Sequence, residues 1–306
     1  MIRGSIGNDS IAVSTLLAEA TVCLTIAGVE NPRLDARRLL AHVLEVAPQS
    51  LATGRGLFLS CVEKQTTFTA LVTRRAQREP VSRILGWRGF WTLDCRINAE
   101  TFDPRPETET VVETILNYVV NRQTPYSLLD LGSGSGSLLL ALLSELPNAT
   151  GIGVDIAAGA VEVARVNAAL AGLATRARFQ VGDWGEGLEE VFDVIMANPP
   201  YIAESDISSL SPEVVQFDPR CALVGGRDGL AAYRAMAPSL IRLLSPRGLV
   251  ALEIGKGQAS AVKEIMTGSG LAFLDCRPDL SGVTRCVLFQ RKVTGHEKSA
   301  WQSFRS

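Results

Sequence analysis

From Ser127 to Arg291 the chain alternates short, nearly continuous apolar runs with longer segments in which apolar residues recur every three or four positions. A continuous run suits a strand buried on both faces, and the longer period suits a helix with one buried stripe. Strands are expected at Ser127–Leu131, Thr150–Asp155, Ala177–Val181, Val191–Ala197, Gly248–Ile254, Leu271–Asp275 and Arg285–Arg291. Helices are expected at Leu138–Leu146, Ala160–Ala171, Leu230–Leu244 and Ala259–Thr267. Strand and helix taking turns predict an α/β domain of Rossmann-like type around a mostly parallel, doubly wound, seven-stranded sheet. The short loop between the last two strands allows one antiparallel pair at the edge.

The first 86 residues lack this alternation. Helical spacing runs through Ser14–Glu19, with Ser14 as the cap, through Pro32–Leu44, and through Val62–Arg78, predicting a helical bundle domain over residues 1–86. The stretch GWRGFWTLDCRINAETFDPRPETE then alternates aromatic and polar residues, which predicts a β-hairpin linker over 87–104. Pro104 and Pro106 stiffen the entry to a helix beginning near Glu107, inside a second domain over 105–292. Residues 293–306 read as a polar tail.

Composition narrows the function classes. A net charge of −2 over 306 residues argues against a protein that grips nucleic-acid backbone over a wide surface. The charge is uneven, with a net of about +4 through Arg88 and about −6 beyond it. The six cysteines show no C-x-x-C spacing, and His42 and His296 are the only histidines, so no metal site is expected. Scattered cysteines of this kind suit a reducing compartment. The most apolar early stretch, Ile11–Val29, is broken by Glu19 and carries neither a secretion signal nor a membrane span, which makes the cytoplasm the expected location.

The candidate chemistry begins with LLDLGSGSGSLLLALL, which sets Gly132, Gly134 and Gly136, with Ser133 and Ser135 between them, at a strand-to-helix turn. Missing Cβ atoms there let a ligand approach the backbone. A dinucleotide fingerprint would be G-x-G-x-x-G, but Ser137 stands at its last glycine, which disfavours a pyrophosphate ligand. Carboxylates sharpen the expectation. Asp130 precedes the turn, where it can face an ammonium group; Asp155 ends the next strand, where it can take both hydroxyls of a ribose; Asp183 and Trp184 follow the third, where an edge contact and an aromatic face suit adenine. A ligand with adenosine and positive charge but no phosphate is S-adenosyl-L-methionine.

Asn198-Pro-Pro-Tyr201 ends the fourth strand. Proline lacks the N–H a ladder needs, so Pro199 and Pro200 stop the strand and stiffen the backbone beyond it. The Asn198 side-chain carbonyl and the Pro199 backbone carbonyl can both accept from one NH₂ group, which orients that nitrogen for in-line attack on a methyl group. Tyr201 offers a flat face to a planar group. Two nucleophiles remain open on these grounds, the carboxamide of glutamine and the exocyclic amine of adenine. An adenine enzyme would also need to flip its base and carry a basic recognition region, which the acidic remainder of the chain disfavours. The intact acids and NPPY box disfavour a binding protein that merely retains the fold.

Taken together these segments resemble the HemK/PrmC-type glutamine N(5)-methyltransferases. The resemblance runs from Leu34-Asp-Ala-Arg-Arg-Leu-Leu through Pro80-Val-Ser-Arg-Ile-Leu-Gly, Phe90-Trp, Pro104-Arg-Pro-Glu-Thr-Glu, the glycine turn, Asn198-Pro-Pro-Tyr-Ile and Gly225-Gly-Arg-Asp-Gly-Leu to Asp279-Leu-Ser-Gly-Val-Thr-Arg. The NPPY box is shared with adenine methyltransferases, whereas its combination with PRPETE and a helical front domain is far more specific. The resemblance implies that Gly132–Gly136, Asp155, Asp183, Trp184 and Asn198 contact S-adenosyl-L-methionine, and that Asn198–Tyr201 hold a substrate glutamine. It further implies that this glutamine belongs to the Gly-Gly-Gln motif of class 1 peptide chain release factors, with the helical domain gripping the rest of the partner. Arg105 and Glu107 are expected near the site as substrate contacts. A sister activity on a ribosomal-protein glutamine would share the site. Asp103, Asp218 and Val224 depart from the family's usual residues at positions next to its motifs.

Overall fold

The computed structural model describes residues 10–51 and 57–292. The polar tail expected at 293–306 lies outside the described residues. The chain divides into two compact units, one of residues up to Gly86 together with Pro212–Phe217, the other of Trp87–Ser211 with the residues from Asp218 onward.

The first unit contains helices Val13–Ile26, Pro32–Leu44, Val62–Ala76 and Val81–Leu85. Leu16, Leu24, Leu39, Leu40, Phe68 and Val72 fill its core, each fully buried leucine contributing about 2 kcal/mol. Pro32 begins its helix at a position where no N–H is needed, and Asp35 favours the positive end of the helix dipole. Ser14 does not cap the first helix as expected. The helix starts one residue earlier, and the Val13 N–H is taken by the Leu57 carbonyl at 2.9 Å, beside a two-residue antiparallel pairing of Ile11–Ala12 with Phe58–Leu59. The third helix ends at Ala76 rather than Arg78, whose φ of 72° is incompatible with helix. Glu213 binds Arg78 at 2.7 Å and Arg75 at 3.1 Å, and Arg75 also binds Asp35 at 2.8 Å, which ties Pro212–Phe217 into this unit.

The second unit opens with the hairpin Trp87–Phe90 and Leu93–Arg96, whose Phe90 and Cys95 belong to the unit's core. A 3-10 turn at Pro106–Thr108 leads into helix Glu109–Tyr118, two residues later than expected. The sheet strands are β1 (Ser127–Leu131), β2 (Thr150–Asp155), β3 (Ala177–Val181), β4 (Phe192–Ala197), β5 (Leu244–Glu253), β6 (Leu271–Pro278) and β7 (Thr284–Arg291). Their order is β6-β7-β5-β4-β1-β2-β3. The antiparallel element is β7, which lies inside the sheet between β5 and β6 and is antiparallel to both.

Helices Ser137–Glu145, Ala158–Leu170, Ala231–Leu243 and Ala259–Gly268 accompany the sheet. Apolar clusters form around it, one containing Leu128, Leu139 and Val194, another containing Leu129, Leu131 and Ile195. Burial from both sides explains why β1 and β4 are apolar apart from Ser127, Asp130 and Asp193. The chain runs β1, β2, β3 in one direction and then returns to place β4 on the other side of β1. Ligands in open α/β sheets bind at such a switch point, beyond the carboxyl ends of the strands.

Candidate active site

Strand register brings the predicted residues level. Leu131 pairs with Val154 on β2 and with Ala197 on β4, so Gly132, Asp155 and Asn198 come next at the same height. They border a cleft of about 260 Å³ whose walls also include Asp130, Ser133, Gly134, Ser135, Asp183, Trp184, Pro199, Pro200 and Tyr201. Gly136, Arg105 and Glu107 lie outside that lining, although Pro104 and Thr108 belong to it.

The glycine turn is stitched to β2. Gly132 and Ser133 both donate to the Val154 carbonyl, at 2.8 and 3.0 Å, and Gly134 donates to Asp155 Oδ2 at 2.7 Å. Gly132 and Gly134 have φ of 75° and 54°, left-handed values that disfavour other residues. A Cβ on Gly134 would meet nothing within 4 Å, so this glycine serves backbone conformation and open space. Gly136 differs: a Cβ there would lie 2.8 Å from the Phe179 ring, so its role is close packing of helix Ser137–Glu145 against β3.

Asp155 Oδ1 accepts the Ala157 N–H at 2.9 Å, which together with Gly134 fixes its carboxylate. Trp184 has a φ of 47°, and its ring lies 3.7 Å from where a Gly132 Cβ would stand. Asp183 is exposed beside it.

Asp130 is 1% exposed, and its Oδ2 has no hydrogen-bond partner. Burial pushes its carboxyl up to about 7; the Leu139 backbone N–H opposes the rise and the Asp155 charge adds to it. The Ser133 hydroxyl is likewise buried without a partner. A buried acid with an unused oxygen next to an open glycine turn fits a cationic ligand head, which would supply the missing charge and donors.

Asn198 donates from Nδ2 to Thr108 Oγ1 at 3.0 Å. Thr108 is the threonine of PRPETE, a segment in which the sequence pointed to the arginine and the first glutamate. Close to Thr108 is the buried Glu253 carboxylate at the end of β5, a residue the sequence did not single out. Burial pushes Glu253 up to about 7, opposed by Thr108, Arg285 and Tyr201 and reinforced by Glu107. The Tyr201 hydroxyl donates to Glu253 Oε1 at 3.4 Å, and burial raises its phenol well above the ordinary value.

The backbone of the NPPY segment is held from behind. The Ile202 N–H donates to Leu223 O at 3.0 Å, the Gly225 N–H donates to Ile202 O at 2.8 Å, and Gln258 Nε2 donates to the Tyr201 carbonyl at 2.9 Å. A Cβ on Gly225 would lie 2.6 Å from Pro200 O, and one on Gly229 2.4 Å from Tyr201 O. Gly225 and Gly229 therefore permit a backbone-to-backbone approach that fixes the motif.

Arg105 is committed elsewhere. Its guanidinium lies 2.5 Å from Asp218 and 3.6 Å from Asp103, and stacks 5.1 Å over Phe102. Two of the three unusual residues thus share one arginine. Val224, the third, forms a bridge with Ile202. Glu107 is exposed on the turn before Thr108. All six cysteines are free thiols. Among the described residues, no group of three or more His, Cys, Asp or Glu side chains is arranged to hold a metal ion, and no helix is long and apolar enough to cross a membrane.

Comparison with known proteins finds similarity at three levels. Residues 15–86 match the PrmC N-terminal domain and residues 124–269 a methyltransferase domain. The catalytic domain of hMettl16, in complex with a MAT2A 3'UTR hairpin, shares the fold at a TM-score of 0.53 and 12% identity, over 77% of this chain and 84% of that one. The chain is 46% identical to the release factor glutamine methyltransferase of Rhodospirillum rubrum over 94% of its own length and 87% of the relative's. It is 44% identical to that of Caulobacter vibrioides over 86% and 90%. The chain belongs to the release factor glutamine methyltransferase family.

Proposed function

We propose that the protein transfers a methyl group from S-adenosyl-L-methionine to the side-chain amide nitrogen of the glutamine in the Gly-Gly-Gln motif of class 1 release factors. The observation that carries this reading is the Asn198 carboxamide. Its N–H end is committed to Thr108, so its oxygen is the end available to an incoming NH₂ group.

The donor, when bound, supplies an electrophilic methyl on a sulfonium. Asp130, with its unused oxygen, would take the donor's ammonium group; Asp155 the ribose hydroxyls; Asp183 and Trp184 the adenine; and the Gly132–Ser135 backbone would allow the close approach these contacts require. Asn198 Oδ1 and the Pro199 carbonyl would accept the two amide protons of glutamine. Held this way, the nitrogen faces the methyl, and the two acceptors stabilise the positive charge that grows on it during attack. Pro199 and Pro200 keep the acceptors from having to reorganise. The Tyr201 ring would pack against the plane of the carboxamide.

The helical unit, with its basic excess, would bind the remainder of the release factor. The reduced cysteines are in keeping with a cytoplasmic enzyme. Incubation with labelled donor and purified release factor tests the reading: label appears on the wild-type factor and is absent when the Gly-Gly-Gln glutamine is replaced by alanine. Equal label on both would overturn it.

A further inference from the structure

We infer that Gln258 is a positioning residue for methyl transfer, holding Tyr201 at both its backbone carbonyl and its ring and thereby fixing the frame that receives the substrate amide. The inference rests on the reading of Asn198–Tyr201 as that frame.

Three chain segments meet behind the NPPY box. They contribute Tyr201, Gly229 at the end of Gly225-Gly-Arg-Asp-Gly229, and Gly255 just beyond β5. Gln258 Nε2 donates to Tyr201 O at 2.9 Å and to Gly229 O at 3.3 Å, while Gln258 Oε1 accepts the Gly255 N–H at 2.9 Å. A backbone carbonyl can only accept and a backbone N–H can only donate, so these partners allow one orientation of the carboxamide. The junction needs two donors and an acceptor at the tip of one neutral side chain. A carboxamide supplies that set, whereas a hydroxyl has a single donor and a carboxylate has none.

The bond to Gly255 reaches Tyr201 a second time. A Cβ on Gly255 would stand 3.0 Å from Tyr201 Cδ2 and 2.8 Å from Gln258 Oε1, so the ring edge rests on the Gly255 backbone that Gln258 holds. One side chain therefore grips Tyr201 at its carbonyl directly and at its ring through Gly255. With both points fixed, the residue has little freedom to turn about its own backbone. Pro199 and Pro200, whose rings fix φ, carry that restraint back towards Asn198.

Gln258 is itself anchored. It immediately precedes helix Ala259–Gly268; its carbonyl accepts the Val262 N–H at 3.0 Å, and its own N–H donates to Gly255 O at 3.2 Å. Val262 and Met266 of that helix are fully buried, so the carboxamide is presented from an element locked into the core. Gln258 lies outside the cleft lining and acts through Tyr201, without touching a ligand. The donor side is held independently, because Gly132 and Ser133 bond to Val154 O and Gly134 bonds to Asp155. Loss of Gln258 should thus disturb the substrate frame and spare the donor.

The test compares Gln258→Met, Gln258→Lys and Gln258→Glu with a wild type shown to methylate the release-factor glutamine, measuring kcat at saturating donor alongside donor Kd. Gln258→Met, which loses all three bonds, is expected to lower kcat about tenfold or more while donor Kd stays within about twofold. Gln258→Lys can still donate to the two carbonyls and should recover part of the loss; Gln258→Glu turns an acceptor towards them and should not. Wild-type kcat in Gln258→Met, or donor affinity falling in step with kcat, overturns the inference. If Gln258→Met does not fold, the other two carry the test, and equal kcat in Gln258→Lys and Gln258→Glu overturns it.

A second measurement needs no substrate. Hydrogen exchange at the Gly255 amide in ¹⁵N-labelled protein should be at least about tenfold faster in Gln258→Lys, which has no acceptor for it, than in the wild type, and should stay slow in Gln258→Glu. That pattern in a wild type that leaves the release-factor glutamine unlabelled supports the junction and rejects the substrate assignment. Unchanged exchange in Gln258→Lys overturns the junction whatever the substrate.

Discussion

Arg105 Nη2 lies 2.5 Å from Asp218 Oδ2, and this contact joins the segment before the PRPETE helix to the chain 113 residues later. Asp103 stands 3.6 Å from the same guanidinium and 3.8 Å from Arg88. Both acids have side chains only 1% exposed. Replacing Arg105 by Ala leaves two buried carboxylates without their shared cation. The expected loss of stability is about 2–4 kcal/mol, measured by chemical denaturation, and the additional change Asp103→Val should restore part of it. Equal stability of Arg105→Ala and wild type would show the pair to be incidental.

Asp130 is expected to couple donor binding to pH. Its folded value of about 7 lies above the ordinary 3.8, so between those values the folded protein keeps a proton that the unfolded chain has released. Stability from this site therefore falls as pH rises through that window. Asp130→Asn removes the penalty and is expected to be more stable than wild type at pH 8, by on the order of 1 kcal/mol or more. It should also bind S-adenosyl-L-methionine at least about tenfold more weakly. In the wild type, donor affinity should drop about tenfold for each pH unit below 7, as the carboxylate needed for the ammonium group becomes protonated. Calorimetric titration across pH 5.5–8, a range chosen to bracket about 7, measures this.

On the proposed mechanism, loss of the Asn198 side chain removes an acceptor needed when charge develops on the attacking nitrogen. Asn198→Ala is expected to keep donor binding largely intact and to lower kcat about 100- to 1000-fold. Single-turnover methylation together with donor titration separates the two effects. Wild-type turnover would remove the proposed role of the motif.

Gly229 holds the motif by what it lacks. Its φ of 75° suits glycine, and a Cβ would lie 2.4 Å from the Tyr201 carbonyl. Gly229→Ala is expected to destabilise the protein by about 1–3 kcal/mol and to push Tyr201 and its neighbours out of position. Turnover should fall more than donor affinity does, because Gly229 lies against the backbone of Tyr201, the residue proposed to pack on the substrate carboxamide. Parallel measurement of kcat and donor Kd checks the difference.

Much of this architecture is legible in local sequence. Apolar runs mark the central strands most plainly, since a strand buried on both faces is mostly apolar along its length. Pro199 and Pro200 mark the end of β4 because proline cannot continue a ladder. The left-handed turn is visible in Gly132 and Gly134 for an equally local reason.

Other features depend on partners far away in the chain. Ser14 looks like a helix cap, yet Leu57 O satisfies the helix start, which no local pattern records. The third glycine of the turn reads as a ligand-facing residue and instead makes room for Phe179. Arg105 reads as a substrate contact until Asp103 and Asp218 are seen beside it.

Neighbouring residues alone settle the strand-and-helix order, the strand-end acids and a rigid Asn-Pro-Pro-Tyr frame. Which end of Asn198 is available depends on the folded chain, through a hydrogen bond spanning 90 residues to Thr108. Propensity and periodicity are properties of adjacent positions, whereas the direction of a hydrogen bond is set by whichever group the fold brings opposite.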